Sequence, residues 1–196
     1  MKLIVITQPH LYKGEATQIN ALCSAGLSIL HLRKPEASEE AIRTLLNQVE
    51  AHYWPRIVLH DQFQLAASYP VRGLHLNRRH PDAPNGYQGQ ISRSCHSVAE
   101  VKQWKDESDY LFLSPIFDSI SKAGYVSGFS HEELVQAAAA GIIDQRVIAL
   151  GGIDQSRIAT LKAIGFGGVA LLGDVWNQPS EQFIPHFHAL QRAVSL

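Results

Sequence analysis

Short runs of branched apolar residues alternate with helix-like segments along the whole chain. Eight such runs can be distinguished, and each is followed by a helical pattern or by a loop that could replace a helix. Several runs are apolar without interruption, which is typical of parallel strands that are covered on both faces. The predicted strands are 3–7, 27–32, 57–59, 73–76, 90–94, 109–113, 147–150 and 168–172. Eight repeats of this unit predict an α/β protein, a single-domain (β/α)8 TIM barrel over residues 1–196, with an open doubly wound sheet as the alternative.

The segments between these strands carry helix and loop signals. Ser38 begins a segment in which apolar residues recur at helical spacing, and Gly26 ends an earlier helix. Pro55 is predicted to break the chain before the third strand. Residues 77–89 and 114–130 lack any periodicity and are rich in turn residues, so both are predicted loops. The predicted helices are 16–25, 38–49, 62–68, 97–104, 131–140 and 181–194.

Composition and charge exclude several functions. The chain has 196 residues, 45% of them hydrophobic and 18% charged, and a formal net charge of −1. A protein so close to neutral is not suited to coat nucleic acid or a membrane, so neither partner is expected. Cys23 and Cys95 form no zinc or disulfide pattern, and neither a signal peptide nor a bilayer-spanning run is recognisable. We therefore expect a cytoplasmic protein, for which a homo-oligomer is left open.

Two strands near the end of the sequence run into glycines at the start of a helical pattern. The first is 147–150, followed by Gly151 and Gly152, and the second is 168–172, with Leu172 followed by Gly173. Such junctions present backbone N–H groups and helix amino termini to one place, where a parallel α/β protein can hold a phosphate. The alternative is a tight turn that only starts a helix. The repeated pattern favours a small phosphorylated substrate.

Polar residues stand at the carboxyl ends of the other strands, where the site of a (β/α)8 barrel lies. Alternation along a strand places His31 with Arg33 on one face, and Ser94 with His96 on another. A single phosphate would need fewer cations than this rim supplies, so a second anion such as a diphosphate is indicated. The candidate residues are His31, Arg33, Lys34, His60, Asp61, His75, Ser94, His96 and Lys122.

Other interpretations of these residues stay open. Arg33 could form a structural ion pair, while Lys34, Arg78 and Arg79 could be solvated surface charges. His75 could be a hydrogen-bonded core histidine. The strand-end histidines could bind a transition metal, although no local pair spacing supports that.

The chain resembles the thiamine-phosphate synthase superfamily, which includes TenI-type thiazole tautomerases. The likeness covers nearly the whole length and rests on the order and spacing of its segments. These are His31-Leu32-Arg33-Lys34, His60-Asp61 with Leu65-Ala66, Leu74-His75-Leu76, Ser94-Cys95-His96-Ser97, Leu113-Ser114-Pro115-Ile116-Phe117 leading to Ser121-Lys122, Ala149-Leu150-Gly151-Gly152-Ile153, and Gly168-Val169-Ala170-Leu171-Leu172.

The resemblance implies a transferase of thiamine biosynthesis. Hydroxymethylpyrimidine diphosphate would lose pyrophosphate, and the nitrogen of hydroxyethylthiazole phosphate would attack the pyrimidine cation to give thiamine monophosphate. By position, the catalytic residues would be Arg33, Ser94 and Lys122, which contact the diphosphate, and Asp61 would bind Mg²⁺. The substrate-binding residues would be His31, Lys34, His60, His75, His96, Gly151, Gly152, Leu172 and Gly173.

The chain departs from the pattern of both branches of the superfamily. Pro35 stands where the synthases carry a diphosphate-binding lysine, and 77–79 stands where their second magnesium aspartate is expected. Pro115 stands where the tautomerases carry a catalytic histidine. A synthase-type transferase is the leading hypothesis. The alternatives are a tautomerase in which His31, His60 or His96 moves a proton, and a non-catalytic binder of thiamine or its phosphate.

Overall fold

Eight parallel strands close into a barrel in chain order in the computed structural model, which describes residues 1–118 and 128–196. Each strand pairs with its neighbours in sequence, and β8 pairs with β1 to close the ring. The strands are β1 (Lys2–Ile6), β2 (Leu30–Leu32), β3 (Ile57–Leu59), β4 (Gly73–Leu76), β5 (Gln90–Cys95), β6 (Tyr110–Leu113), β7 (Val147–Leu150) and β8 (Gly168–Leu171). The predicted (β/α)8 barrel is confirmed.

Helices surround this barrel. They are α1 (Glu15–Ser24), α2 (Glu39–Gln48), α3 (Val98–Trp104), α4 (His131–Ala139), α5 (Ile158–Ile164), α6 (Gly173–Trp176) and α7 (Ser180–Ser195). Short 3-10 segments cover Ala51–Arg56, Phe63–Ala67, Lys105–Glu107 and Gln155–Arg157. None of the helices in the described ranges is both long enough and apolar enough to cross a bilayer.

Strand alternation separates two apolar layers. Along β1, Leu3 and Val5 face the helices, while Ile4 and Ile6 face the barrel axis. The outer layer between barrel and helices is the larger core. The inner layer is small, because histidines occupy part of the interior. The barrel is therefore filled by polar rings as well as apolar side chains, and those rings lie beneath the mouth where the strands end.

Several local predictions need correction. The segment 62–68 forms a 3-10 turn rather than an α-helix. Pro55 lies inside another 3-10 segment, as its second-last residue, and β3 begins at Ile57 directly after that segment ends. Leu27–Ile29 leads into β2 without belonging to it. The helix predicted to begin after β8 is present as α6 but has only four residues.

Candidate active site

A cleft with two lobes opens at the carboxyl ends of the strands. The two lobes are cavities of about 400 Å³ each. Both are lined by Arg33, Leu150, Gly151, Gly152 and Leu172, so the two lobes adjoin at the mouth of the barrel. We call the part beside β7 and β8 the glycine lobe and the part beside β2 to β5 the arginine lobe.

The glycine lobe is shaped by residues that tolerate positive φ. Gly151 and Gly152 have φ of +100° and +61°. A Cβ on Gly151 would lie 2.8 Å from the Cα of Pro115, and one on Gly152 would overlap the carbonyl oxygen of Asp118. Only glycine fits both the conformation and the space. The chain can therefore bring its backbone to the surface of the cleft at this point.

Backbone amides are the polar groups that this lobe offers. Within the described residues, the N–H groups of Gly152 and Gly173 have no hydrogen-bond acceptor in the protein. The helices behind them are weaker than the sequence suggested. Asp154 caps a 3-10 turn before α5, and α6 has only four residues. Binding of an anion here would rest on directed N–H groups more than on long helix dipoles.

The arginine lobe concentrates positive charge. Its lining includes Arg33, Arg78 and Arg79 and contains no carboxylate among the described residues. The sequence left open that Arg78 and Arg79 are solvated surface charges. The structure places both at the mouth of the barrel, where they face the same space as Arg33.

Asp61, predicted as a magnesium ligand, is already engaged by protein groups. Its side chain is 6% exposed and does not line the cleft. Arg79 Nη2 donates to Oδ1 over 2.8 Å, and the backbone N–H of Lys34 donates to Oδ2 over 3.1 Å. Mg²⁺ prefers several free oxygen ligands. In the described residues each carboxylate oxygen of Asp61 already has a protein donor, which does not fit a magnesium site open to the cleft.

Lys34 was predicted to bind substrate but points into the protein. Its Nζ lies 2.5 Å from Oε1 of Glu15 and also donates to the carbonyls of Gln8 and His10. Burial lowers the pKa of Lys34 and raises that of Glu15, while their mutual attraction opposes both changes. The ammonium fixes the segment after β1, because burying it away from water requires all of these acceptors. Lys34 is therefore not among the residues that line the cleft.

His31 and His75 were also predicted to contact substrate, but both are fully buried below the cleft. His60 and Ser94 lie above them and do line the cleft. His31 Nδ1 lies 2.7 Å from Nε2 of His60, and His75 Nε2 lies 2.8 Å from Oγ of Ser94. The two deep histidines therefore act through the residues above them.

The hydrogen bonds of His75 have one direction. Ser92 Oγ donates to the carbonyl of Leu74 and lies 2.8 Å from Nδ1 of His75. With its single proton on that carbonyl, Ser92 accepts from Nδ1–H of His75; it also forms a hydrogen bond with Tyr110. Burial lowers the pKa of His75 to about 3, and the neutral ring has only that one N–H. In this arrangement Ser94 donates to Nε2, which leaves its oxygen lone pairs for a ligand.

The second chain runs through Tyr110, His31 and His60. His31 Nε2 lies 2.7 Å from the Tyr110 hydroxyl. Burial raises the pKa of Tyr110 and lowers that of His31 and His60 far below its usual range, so all three groups are neutral. Protons can point along this chain in either direction with every bond kept. His60 Nδ1 can thus present a donor or an acceptor to the cleft.

The same three histidines could suggest a metal site, since ligand atoms of His31, His60 and His75 lie within 4.8 Å of one another. Hydrogen bonds already occupy both ring nitrogens of His31 and of His75. A metal would need to displace these bonds. The cluster is better explained as a buried hydrogen-bonded network that supports the floor of the cleft.

His96 lines the cleft from the end of β5. Its Nδ1 donates to the carbonyl of Ser114 over 3.0 Å, since a carbonyl can only accept. This bond fixes the tautomer in which Nε2 carries a lone pair, as a proton acceptor requires. Ser97 caps α3 immediately after it and holds the backbone in place.

The cleft thus brings together most of the predicted residues. Arg33, His60, Ser94, His96, Gly151, Gly152, Leu172 and Gly173 line it. Lys122 lies outside the described residues. Sequence reasoning missed Tyr110 and Ser92, although both point inward on strands at alternate positions to Phe112 and Ser94. The alternation of inward and outward side chains along β5 and β6 was the signal that could have identified Ser92 and Tyr110.

The fold and cleft define a (β/α)8-barrel protein with a site for small molecules at the carboxyl ends of its strands. Residues 3–175 match the family described as thiamine monophosphate synthase. The chain belongs to this family.

Similar proteins agree with this assignment. A solved structure described as thiamine phosphate pyrophosphorylase from Bacteroides thetaiotaomicron is 42% identical, with a TM-score of 0.92 over 100% of this chain and 98% of that one. A thiamine-phosphate synthase from Psychrobacter sp. is 24% identical over 89% of this chain and 87% of its own length. A Pyrococcus furiosus structure with the same description as the Bacteroides structure, at 21% identity, covers 99% of this chain and 95% of its own with a TM-score of 0.76, and supports the fold.

Proposed function

We propose that this chain is a thiamine-phosphate-synthase-type transferase that joins hydroxymethylpyrimidine diphosphate to hydroxyethylthiazole phosphate, with release of pyrophosphate. The observation that best supports this proposal is a pair of adjoining lobes, one with backbone N–H groups of glycines and the other with three arginines. The glycine lobe suits a phosphate, and the arginine lobe suits a more highly charged group. This arrangement matches a reaction whose two substrates are small and phosphorylated.

The space between the two ends suits aromatic rings. Ile6, Phe112, Phe117 and Leu150 line the arginine lobe beside the polar groups. Apolar walls exclude water and strengthen the attraction between a developing anion and nearby cations. The ring that loses pyrophosphate and the ring that attacks it would meet at this point.

Each polar residue then has a task in the proposed reaction. The carbon–oxygen bond to the diphosphate breaks, and its electron pair leaves with the pyrophosphate oxygen. Arg33, Arg78 and Arg79 would stabilise that charge. The thiazole nitrogen forms the new bond with its own lone pair, so the coupling needs no general base. Positioning of both partners supplies the remaining acceleration.

The deciding experiment is an activity assay with both substrates, in which thiamine monophosphate and pyrophosphate are quantified together. The proposal expects equal amounts of the two products. Arg33→Ala should lower kcat/KM by about 100-fold, as expected when a transition-state contact to a charged group is lost. Lys122→Ala tests the residue that lies outside the described ranges. Absence of product with the wild-type chain would refute the proposal.

A second candidate is a tautomerase-like isomerase, which His60 and His96 favour. His96 Nε2 has a lone pair, and His60 Nδ1 can give or take a proton, so the cleft could move a proton between two atoms of a thiazole phosphate. Proton exchange into the thiazole in D₂O without any pyrimidine substrate would identify this activity. Tight binding of thiamine monophosphate with neither reaction would instead indicate a binder. The cytoplasmic location stays a prediction, and a homo-oligomeric state stays open.

A further inference from the structure

The loop after β4 turns two arginines into the mouth of the barrel. Asn77 organises this turn: its Oδ1 accepts from the backbone N–H of Arg79 over 2.9 Å, and its backbone N–H donates to the carbonyl of His80. Its Nδ2 donates to the carbonyls of His60 and His75. The turn is thus tied to the ends of β3 and β4. The hydrogen bonds of Asn77 therefore hold the backbone of Arg78 and Arg79 at the cleft.

Arg79 is positioned by Asp61. The 2.8 Å bond from Nη2 to Oδ1 uses one part of the guanidinium, which carries five N–H donors in all. Asp61 is itself held by the backbone N–H of Lys34. A buried carboxylate that anchors an arginine at the rim leaves the other donors of that arginine for a ligand. The carboxylate serves the cation here and is not presented to the cleft.

The charges of the arginine lobe have one sign. Among the described residues its lining has three guanidinium groups and no carboxylate. A divalent cation placed there would meet repulsion from these groups, and the lining offers neither of the one or two protein carboxylates that usually hold Mg²⁺ beside substrate phosphates. A diphosphate would meet several charge-assisted donors, for which arginine geometry is well suited.

We infer that Arg33, Arg78 and Arg79 hold the diphosphate end of the substrate directly, with no divalent metal, and that Asp61 is the positioning residue for Arg79. This inference rests on the proposed function for the identity of the ligand, because only that function supplies a diphosphate. When the carbon–oxygen bond breaks, pyrophosphate takes the electron pair, and the guanidinium groups keep their protons and offset its charge.

Calorimetry with inorganic pyrophosphate tests the inference without turnover. Metal-stripped wild-type protein should bind pyrophosphate in EDTA, and Mg²⁺ should not strengthen the binding. Arg78→Gln and Arg79→Gln should each raise Kd by about tenfold or more, as expected for the loss of hydrogen bonds to a charged group. Arg192→Gln on α7, away from the cleft, is the matched control and should leave Kd unchanged. Thermal melts verify that each variant is folded.

Asp61→Asn separates the two assignments of this residue. The amide oxygen still accepts a hydrogen bond but lacks the charge that competes for Arg79, so the variant should bind pyrophosphate in EDTA within about threefold of wild type. Wild-type binding that Mg²⁺ strengthens would overturn the inference, and loss of that strengthening in Asp61→Asn would identify Asp61 as a magnesium ligand. Binding that is insensitive to both arginine variants would also overturn it. These readouts do not depend on thiamine monophosphate formation, so failure of the proposed function is seen separately in the activity assay.

Discussion

Acid should destabilise this protein at a pH where most carboxylates are still ionised. His31, His60 and His75 are fully buried, and burial lowers the pKa of each below the ordinary value of 6.5, to about 3 for His75. The unfolded chain takes up protons on these rings near pH 6.5, whereas the folded chain does not. Stability is therefore fully present above pH 6.5 and is lost as the pH falls below it.

The size of this loss follows from linkage. One histidine that is protonated only in the unfolded chain costs about 1.9 kcal/mol of stability between pH 7 and pH 5. Three such residues cost about 5–6 kcal/mol, which is comparable with the whole stability of many domains. The carboxylates contribute little in this range, because most of them titrate at lower pH.

Urea unfolding at a series of pH values measures the effect. The free energy of unfolding of the wild type should fall by about 5–6 kcal/mol between pH 7 and pH 5. His75→Gln should reduce the fall by about a third, whereas His52→Gln, at an exposed histidine, should leave it unchanged. NMR of the ring nitrogens should show all three buried histidines neutral at pH 5. A wild-type loss below about 2 kcal/mol, or rings that titrate near pH 6.5, would refute the reasoning.

Three further changes should have distinct effects. Gly152→Ala should raise KM for the thiazole phosphate by about tenfold or more, because its Cβ would collide with the carbonyl oxygen of Asp118. The control is Gly14→Ala, where φ is +89° and the space around the Cα is open; this variant should only lower Tm slightly. Lys34→Met should destabilise the fold by about 3–5 kcal/mol, since it leaves Glu15 charged and buried; Lys13→Met is the control in urea unfolding. Ser92→Ala should lower kcat severalfold with little change in KM, because His75 loses the acceptor that fixes its tautomer; steady-state kinetics would reveal an equal loss in KM, which would contradict this assignment.

The barrel was predictable because its signals are local. Apolar runs marked the strands, and the glycines after β7 and β8 marked the points where the backbone approaches the cleft. Alternation correctly placed Ser94 at the cleft and Cys95 in the outer core. The (β/α)8 fold then fixed which ends of the strands carry the site.

The direction and partner of each charged side chain were less predictable, because the partners are distant in sequence. Lys34 follows Arg33 directly, yet it turns inward to Glu15, nineteen residues earlier. Asp61 is neutralised by Arg79, which lies in a loop without any periodic signal. The direction of the histidine hydrogen bonds depends on hydroxyl groups from β5 and β6. These pairings of charged and polar side chains depend on tertiary contacts, so the pattern within one segment does not predict them.

The two lobes share the guanidinium of Arg33, and this has a consequence for the order of events. One guanidinium interacts less strongly with each of two anions than with a single anion. An anion bound in one lobe should therefore lower the affinity of the other lobe for its anion. Thiamine monophosphate that remains bound in the cleft would then weaken the binding of pyrophosphate and speed its release. Sharing of Arg33 between the two lobes would in this way favour product release without a conformational change.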